Sequence, residues 1–572
     1  MTIADLFQFL LYATTVIVLV KPLGWYITKV FNGESFFLRR PVEKMEFLLY
    51  RAAGVKTTVE QHWIRYAGSF LLFHFIGFLF LYTVLRLQAY LPLNPSKLPN
   101  VSADLSLNTA ISFLTNTNWQ NYAGEKTLSY FSQMVGLTVQ NFFSAASGIA
   151  VAVALIRGFS RQERQTIGNF WVDMTRAILY ILLPLSAIFA IFLIWQGVPQ
   201  NFSANLEIST LEHQTQIIPQ GPVASQEAIK IVGTNGGGFF NANSAHPYEN
   251  PTPLTNFFQM VMMVVIGAAL TNVFGRMIGD QRQGWAIFTA MGILLVMGMA
   301  AIYYFENQPN PLLTKALNEL NIATEGGNME GKEVRFGLFN SSLFAALTTA
   351  TSTGAVNSLH SSFMPLSGGL MILNMVLGEI IIGGAGSGLY GMLLFVILTS
   401  FIAGLMVGRT PEYNGNKLQS REIKMAMLAT FITPLIILGL TSIAASDPSA
   451  VSSVTNPGPH GFSEILYLYT SSAANNGSAF AGINGNTLFY NITGAIAMLL
   501  GRLMVVIPVL AIAGSLASKR FSPITNGSLP THNLTFIILL IAVILIFGIL
   551  TFLPVLALGP LAEHLSLIKG LS

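Results

Sequence analysis

The chain has 572 residues, of which 52% are hydrophobic and only 9% charged, with a formal net charge of +4 and no cysteine. Soluble globular domains carry about 25% charged residues, so this composition argues against a soluble fold and indicates an integral membrane protein. The absence of cysteine excludes a disulfide framework and a thiolate metal site.

Apolar stretches long enough to cross a bilayer recur along the chain. A spanning helix needs roughly 20 apolar residues to cross about 30 Å of hydrocarbon, and we count about ten candidates. In chain order they are 6–20, 66–85, 127–156, 177–198, 251–275, 283–305, 370–408, 425–446, 488–518 and 533–562. The first is predicted to be a retained helix and not a cleaved signal peptide, because residues 1–4 carry no positive charge and Lys21 and Pro22 stand where small cleavage residues would be.

Basic residues are concentrated in every second link between these crossings. If the first helix begins outside, the inner segments are 21–65, 157–176, 276–282, 409–424 and 519–520, and they hold 20 of the 29 Lys and Arg residues. The positive-inside rule then predicts both termini outside the cytoplasm. Topology therefore accounts for the basic clusters, and no nucleic-acid partner is predicted.

Four of the outer links contain an apolar run that is too short to span, followed by a small polar cluster. The runs begin at Asn108, Ser225, Asn340 and Ser463, and each of these residues is predicted to be the N-cap of a short helix. The polar clusters contain Thr115, Asn116, Thr117 and Asn118; Thr234, Asn235 and Gly236; Ser352, Thr353 and Gly354; and Asn475, Asn476 and Gly477.

The clusters mark an internal repeat. Counted from Thr117 to Gly236, Gly354 and Gly477, they recur at intervals of 119, 118 and 123 residues. Each unit is predicted to be a helix, a short half-helix, a polar loop and a second helix. Two crossings per unit make the units parallel, unlike the inverted repeats of rocking transporters, and four parallel units are expected to surround one axis.

These units divide the chain. The predicted segments are an N-terminal helix with its cytoplasmic segment at 1–62, repeats at 63–160, 161–281, 282–421 and 422–520, and a C-terminal helix at 521–572. The predicted fold is thus an all-α integral membrane protein with four parallel repeats around a pseudo-fourfold pore.

The polar clusters predict cation binding. Lipid satisfies no backbone amide or carbonyl, so four irregular loops at membrane depth indicate a watery pore. A half-helix entering from outside points its C-terminal end, with roughly half a negative charge, toward the pore centre. Gly and Asn permit turns that bring carbonyls inward to replace an ion's hydration shell. The alternative, an ordinary polar turn, stays open for any single cluster but does not account for four at nearly constant spacing.

The uncharged stretch 370–408 is too long for one straight crossing. It is interrupted by Gly378, Glu379, Gly383, Gly384, Gly386 and Gly388. Glycine costs about 1 kcal/mol relative to Ala in a helix interior, so a broken helix with a barrier loop beneath the polar clusters is predicted.

Four further residues are candidates for roles near this loop or the clusters. Glu379 is an acid inside a span, which by default indicates function, with a salt bridge near an interface as the alternative. Arg502 could pair with Glu379 or with loop carbonyls, and Arg409 is a possible anchor on the cytoplasmic side. Gln120, just beyond the first cluster, is a weaker candidate.

Several long motifs occur in one order along nearly the whole chain. They include LPLNP at 91–95, TNTNWQNYAGE at 115–125, GPVASQEAIK at 221–230, GTNGGGFFNANS at 233–244, NPGPHGFSE at 456–464 and NNGSAFAG at 475–482. With these motifs the chain resembles the potassium-channel-like A subunits of bacterial Kdp potassium-importing P-type ATPases.

The resemblance implies a subunit that takes K⁺ from the periplasm through a selectivity filter formed by the four clusters and delivers it, within the membrane, to a P-type ATPase subunit. It also implies a single-span accessory subunit, a small membrane peptide and location in the bacterial inner membrane. We find no DKTGT or GxxxxGK[ST] motif. ATP and Mg²⁺ are therefore expected at the partner, and this chain is expected to be non-catalytic, with K⁺ as its only ion and no covalently bound cofactor.

Two other functions are open to a chain of this kind. A stand-alone potassium channel or secondary potassium transporter would share the fourfold plan, and only the presence or absence of an ATPase partner separates it from the first interpretation. An intramembrane enzyme is the other alternative, but neither an HExxH motif nor a nucleophile elbow is found.

Overall fold

The computed structural model describes residues 2–311, 314, 317, 319–320, 326–378, 380–522 and 530–569. Within this part of the chain, 10 helices are long and apolar enough to cross a membrane. They are Ile3–Asn32, Trp63–Arg86, Ser132–Ser160, Phe170–Trp195, Pro253–Met277, Gln281–Glu306, Ser387–Met406, Ser420–Ser446, Leu488–Ala517 and Leu534–Ile568. The protein is therefore a multi-pass membrane protein.

Four shorter helices lie between consecutive spans. We call them the first to fourth pore helices, and they are Ala103–Leu114, Val223–Val232, Gly337–Ala350 and Gly458–Ala473. Each is preceded by one span, the outer helix of its repeat, and followed by another, the inner helix. This order repeats four times, between the N-terminal helix Ile3–Asn32 and the C-terminal helix Leu534–Ile568.

The remaining elements are small. A helix at Arg39–Ala52 follows the first span, and single turns of helix lie at Gly124–Thr127 and Pro448–Val451. Two antiparallel hairpins, which the sequence did not predict, pair β1 (Leu206–Ser209) with β2 (Thr215–Ile218) and β3 (Glu412–Tyr413) with β4 (Asn416–Lys417).

The N-cap prediction for the short helices is wrong. All four residues lie inside the pore helices, two to five residues after the helix start. The helices begin at Ala103, Val223, Gly337 and Gly458, and the predicted caps were Asn108, Ser225, Asn340 and Ser463. Their side chains find other partners: Asn108 Nδ2 donates to the carbonyl of Asn491 at 2.9 Å, and Ser463 Oγ donates to the carbonyl of Pro459 at 2.9 Å. A polar side chain within a packed helix can satisfy itself on the preceding turn or on a neighbouring helix, so it need not mark the helix start.

The inner helices form the centre of the bundle. In the most apolar part of Ser132–Ser160 and Pro253–Met277, 89% and 83% of residues are buried, against 17% for Ile3–Asn32. The N-terminal helix therefore lies at the periphery, where its exposed apolar side chains suit lipid.

The inner helix of the third repeat is interrupted. It consists of Pro365–Val376 and Ser387–Met406, and the chain between them takes positive φ at Gly378, Ile382, Gly383 and Gly386. We call residues 377–386 the break loop.

The division into repeats made from the sequence stays a prediction. Its boundaries at 62, 160, 281, 421 and 520 each fall within three residues of a helix end.

A buried ion pair joins the first two repeats. Arg157, in the last turn of the first inner helix, donates Nη1 to Asp173 Oδ2 at 2.6 Å and Nη2 to Oδ1 at 2.9 Å. Asp173 lies in the first turn of the second outer helix and also accepts a hydrogen bond from the Tyr66 hydroxyl at 3.0 Å. The side chains are only 9% and 1% exposed.

We predict that Asp173→Asn destabilises the protein by about 3–5 kcal/mol, because it leaves the buried Arg157 charge without its partner. Asp280→Asn is the matched control, since Asp280 also pairs with an arginine, Arg282, whose side chain is 70% exposed, and exposed pairs contribute about 0–1 kcal/mol. Unfolding in detergent micelles measures both. Equal losses of stability in the two variants would show that burial of the first pair does not matter.

Candidate functional site

The four polar clusters take the same backbone path at the C-terminal ends of the pore helices. We define the polar segments as residues 115–118, 233–236, 351–354 and 474–477. In each, the first amide donates to the carbonyl four residues earlier: Thr115 to Ile111, Gly233 to Ile229, Thr351 to Leu347 and Ala474 to Thr470. The segments are therefore structurally equivalent.

Positive φ angles occur at the second and fourth positions of every polar segment. At the second position, Asn116, Thr234, Ser352 and Asn475 have φ of 67°, 52°, 59° and 56°. At the fourth, Asn118, Gly236, Gly354 and Gly477 have φ of 56°, 87°, 72° and 100°. Left-handed conformations cost a non-glycine residue roughly 1–2 kcal/mol, so their fourfold recurrence shows that the surrounding fold imposes this path.

This equivalence corrects the register used in the sequence count. The residue equivalent to Gly236, Gly354 and Gly477 is Asn118, whereas Thr117 occupies the position of Asn235, Thr353 and Asn476. Periodicity alone could not resolve a shift of one residue, because the interval between repeats varies by several residues.

The polar segments close into a ring around one axis. A Cβ added to Gly236 would overlap the carbonyl oxygen of Thr353, and the same relation holds between Gly354 and Asn476 and between Gly477 and Thr117. The first segment meets the second through Asn116 Nδ2, which donates to the carbonyl of Thr234 at 2.9 Å. Each segment thus contacts the next, and the fourth contacts the first.

Side-chain amides and hydroxyls tie neighbouring segments together. Asn235 Nδ2 donates to Asn116 Oδ1 at 2.6 Å, and Asn475 Nδ2 donates to Thr117 Oγ1 at 2.8 Å. Ser352 Oγ donates to the carbonyl of Asn475 at 3.1 Å. Hydrogen bonds of this kind between repeats help to hold a buried backbone in one conformation.

Gln120 links the first two repeats just beyond the ring. Its Oε1 accepts from the amide of Gly238 and its Nε2 donates to the carbonyl of Gly238, both at 3.1 Å. It is therefore a clamp between loops, with its own side-chain amide occupied by backbone partners.

An open cavity of about 730 Å³ lies on one side of the ring and includes Asn118, Gly236, Gly354 and Gly477 in its lining. All four repeats thus contribute their fourth-position residue to its floor. We call this cavity the vestibule.

The break loop lies on the other side of the ring. The amide of Ala385 donates to Thr234 Oγ1 at 2.9 Å, and a Cβ at Gly384 would lie 3.2 Å from the Cβ of Ser352. Gly386 packs on the carbonyl of Gly148 in the first inner helix, while Gly383 O lies 2.8 Å from the position of a Cβ at Gly267 in the second. The loop thus lies between the second and third polar segments and the first two inner helices.

The glycines of this region differ in how closely they are packed: Gly386 meets backbone and Gly384 meets side chains. Gly388, in the first turn of the helix that follows, would place a Cβ against the carbonyl of Ile382, and Gly378 meets nothing within 4 Å. Glu379 lies outside the described residues, so its predicted role and its pairing with Arg502 stay predictions.

Arg502 is buried next to this loop. Its Nη1 donates to the Tyr390 hydroxyl at 3.1 Å, and its side chain lines a small cavity of about 60 Å³ with Gly378 and Asn475. Arg409 is exposed, and its amide donates to the carbonyl of Gly404 at 2.8 Å. Only Arg502 therefore lies close to the ring.

A charged cluster behind the second polar segment was not predicted. Lys230 is fully buried and pairs with Glu227 at 2.7 Å and with Glu249. Its carbonyl accepts from the amides of Asn235 and Gly236, so the residue also holds the ring through its backbone. The signal was available, because Glu227 and Lys230 are charges three residues apart within an otherwise apolar run.

Comparisons with known proteins agree with this architecture. Residues 10–565 match the family described as potassium-transporting ATPase A subunit (KdpA). The potassium-transporting ATPase potassium-binding subunit of Methylobacterium nodulans is 59% identical over 566 residues, covering 99% of this chain and 98% of the relative. The subunit of the same name from Rhodopseudomonas palustris is 59% identical over 567 residues, covering 99% of both.

Among solved structures, the potassium transporter TrkH from Vibrio parahaemolyticus has a similar fold, with a TM-score of 0.50 and 15% identity over 87% of this chain and 95% of that one. At this identity the likeness concerns the fold alone. The family match and the relatives extend over nearly every residue described above, including the four polar segments. The chain therefore belongs to the family of potassium-transporting ATPase A subunits.

Proposed function

We propose that this chain is the potassium-binding and translocating subunit of an ATP-driven, high-affinity potassium import complex. The observation that carries the proposal is the closed ring of four equivalent polar segments, in a chain whose relatives are named potassium-binding subunits of a potassium-transporting ATPase. K⁺ enters from the periplasmic vestibule and passes into the ring.

The ring supplies the chemistry that a dehydrated K⁺ requires. Four pore helices end at it, and their C-terminal partial negative charges favour a cation at the centre. Carbonyl and hydroxyl oxygens replace the hydration shell. The proposed filter residues are Thr115, Asn116, Thr117, Asn118, Thr234, Asn235, Gly236, Ser352, Thr353, Gly354, Asn475, Asn476 and Gly477.

The filter is chemically asymmetric. The fourth position is Asn118 in the first repeat and glycine in the other three, and Asn118 turns its Nδ2 to Asn141 Oδ1 at 2.6 Å. The ring of sites is thus fourfold in backbone path but not in side chains, as expected for repeats that diverged within one chain.

The break loop is proposed to be the barrier to straight passage. It contacts the ring at Thr234 and Ser352 and packs against two inner helices, so an ion leaving the filter meets protein along the axis. We infer that K⁺ leaves sideways, within the membrane, toward a P-type ATPase subunit. Gly378, Glu379, Gly383, Gly384, Gly386 and Gly388 are the proposed barrier residues, and Arg502 is the proposed anchor beside them.

In this proposal the chain itself is non-catalytic. The P-type partner uses ATP and Mg²⁺, and a single-span accessory subunit and a small membrane peptide complete the complex in the bacterial inner membrane. Both termini lie on the periplasmic side, as the distribution of Lys and Arg requires. Arg409 lies on the opposite, cytoplasmic side.

Purification from the native membrane tests the assignment. The expected result is a co-purifying P-type ATPase whose ATP hydrolysis is stimulated by K⁺ over Na⁺. If the chain purifies alone and conducts K⁺ in liposomes without ATP, it is a stand-alone channel or secondary transporter.

Gly236→Ser should weaken potassium binding. The new Cβ would meet the Thr353 carbonyl at a positive φ, and strain of about 1–3 kcal/mol corresponds to a roughly fivefold to hundredfold rise in the K⁺ concentration for half-maximal ATPase activity. Discrimination against Rb⁺ should fall as well. Gly439→Ser is the control, because Gly439 has nothing within 4 Å of its added Cβ. Unchanged K⁺ dependence in the Gly236 variant would remove Gly236 from the filter.

Shortening residues 383–388 should open a leak. With the C-terminal part of the break loop and the start of the following helix shortened, the isolated subunit should pass K⁺ along its own axis in liposomes, and ATP hydrolysis in the complex should lose its coupling to uptake. Deleting residues of the exposed turn 210–214 between β1 and β2 is the control, since that turn lies away from the ring. A shortened loop that remains tight and supports coupled uptake would place the barrier elsewhere.

A further inference from the structure

A second polar cavity lies at the far ends of the spans, away from the ring. Its volume is about 450 Å³. The helices Ile3–Asn32, Ser132–Ser160 and Pro253–Met277 end beside it, and Phe170–Trp195 begins there. Inner helices start next to the polar segments, so their opposite ends, and this cavity with them, lie at the other membrane surface.

Four arginines line this cavity: Arg157, Arg161, Arg176 and Arg276. Three of them have carboxylate partners. Arg157 pairs with Asp173, Arg161 with Glu60 at 2.8 Å, and Arg176 with Glu46 at 3.2 Å.

Of the three carboxylates, Glu60 is the most exposed. Burial alone would raise the pKa of Glu60, but hydrogen bonds from Arg161 and Thr166 outweigh it and hold the pKa below its ordinary value. Three of the four arginines are thus paired with an acid, and Arg276 is the fourth.

Arg276 has no carboxylate partner in the described part of the chain. Its Nε donates to Asn272 Oδ1 at 2.8 Å, which leaves both Nη groups without a protein acceptor there. Arg176 donates Nε to Glu46 and Nη1 to the carbonyl of Val30 at 3.4 Å, so its Nη2 is also available. Both guanidinium groups are partly buried at the cavity wall.

This arrangement selects for a phosphate group. Guanidinium presents parallel N–H donors that match phosphate oxygens, and charge-assisted hydrogen bonds of this kind are strong. Basic pockets between spanning helices at a membrane surface are suited to anionic lipid headgroups.

We propose that this cavity binds a phosphate group through Arg276 and Arg176, presented either by an anionic phospholipid headgroup or by free phosphate. Arginines in the last turns of helices also neutralise helix C-termini without binding any ligand. A test therefore has to distinguish three possibilities: a phosphate site, neutralisation of a helix C-terminus, and a general attraction of basic surfaces for anionic lipid.

The experiment uses the complex purified from its native membrane and placed in nanodiscs of phosphatidylcholine alone or with phosphatidylglycerol. Native mass spectrometry counts retained phosphatidylglycerol for wild type, Arg276→Gln and Arg282→Gln. Arg282 is the matched control, because it lies six residues along the same link, pairs with Asp280 and does not line the cavity. In a second arm, melting temperature in phosphatidylcholine discs is measured with inorganic phosphate against chloride of equal ionic strength.

We expect Arg276→Gln to bind phosphatidylglycerol about tenfold more weakly, as loss of a charge-assisted contact predicts, and Arg282→Gln to bind as wild type does. Stabilisation by phosphate that Arg276→Gln abolishes would identify the free ion as the ligand, and stabilisation by phosphatidylglycerol alone would identify the headgroup. The proposal would be overturned if Arg276→Gln and Arg282→Gln lost phosphatidylglycerol equally. It would also be overturned if Arg276→Gln responded to phosphatidylglycerol and to inorganic phosphate as wild type does.

A folding defect would not obscure the result. If Arg276→Gln melts lower in neutral discs, Arg276→Lys decides, because it keeps the charge at the helix end and removes the fork of donors. The site is supported if Arg276→Lys binds phosphatidylglycerol more weakly while its stability in neutral discs is unchanged. The site is overturned if Arg276→Lys binds phosphatidylglycerol as tightly as wild type does.

Discussion

The rest of the structure depends on the contact of each polar segment with the next. Glycine at the fourth position of three segments lets the chain approach the carbonyl of the following repeat more closely than a Cβ would permit. Lipid offers no hydrogen bonds, so this irregular backbone can exist at membrane depth only because four repeats enclose it. The pore helices aim their C-terminal ends at the enclosed space, and the same geometry that closes the ring makes it attractive to a cation.

Holding four irregular segments in one conformation requires unusual burial of polar groups. Asn235 donates to Asn116, Asn116 donates to the Thr234 carbonyl and Asn475 donates to Thr117, all across repeats. Lys230 with its two glutamates fixes the loop behind the second segment. Removing one member of such a network leaves a buried donor, acceptor or charge unpaired, which costs more than an ordinary surface substitution. In the proposed function, the side chains near the ring therefore serve both ion binding and stability.

The break loop gives the four repeats different roles. Three inner helices continue past the ring, whereas the third is interrupted and its loop returns beneath the polar segments. Fourfold symmetry in the backbone of the ring thus coexists with a single obstruction below it. In the proposed function, this asymmetry makes the K⁺ route bend within the membrane. The arginine-lined cavity at the far surface is not part of that route.

The sequence by itself determined the membrane class, the ten spans, the four repeats and the positions of the polar clusters, because hydropathy, glycine content and spacing are local properties of a chain. It did not determine that Asn118, and not Thr117, is equivalent to Gly236, because that equivalence is a matter of backbone conformation. Nor did it determine that Asn108 and Ser463 lie inside helices, because Asn108 bonds to a residue hundreds of positions away and Ser463 bonds to the preceding turn. Tertiary structure alone also decided the clamp formed by Gln120 and the buried pairing of Lys230. The same holds for Arg276, which has an amide but no carboxylate as partner among the described residues. Pairing of buried polar groups is a property of the folded neighbourhood, and a chain of residue types does not specify which neighbours will meet.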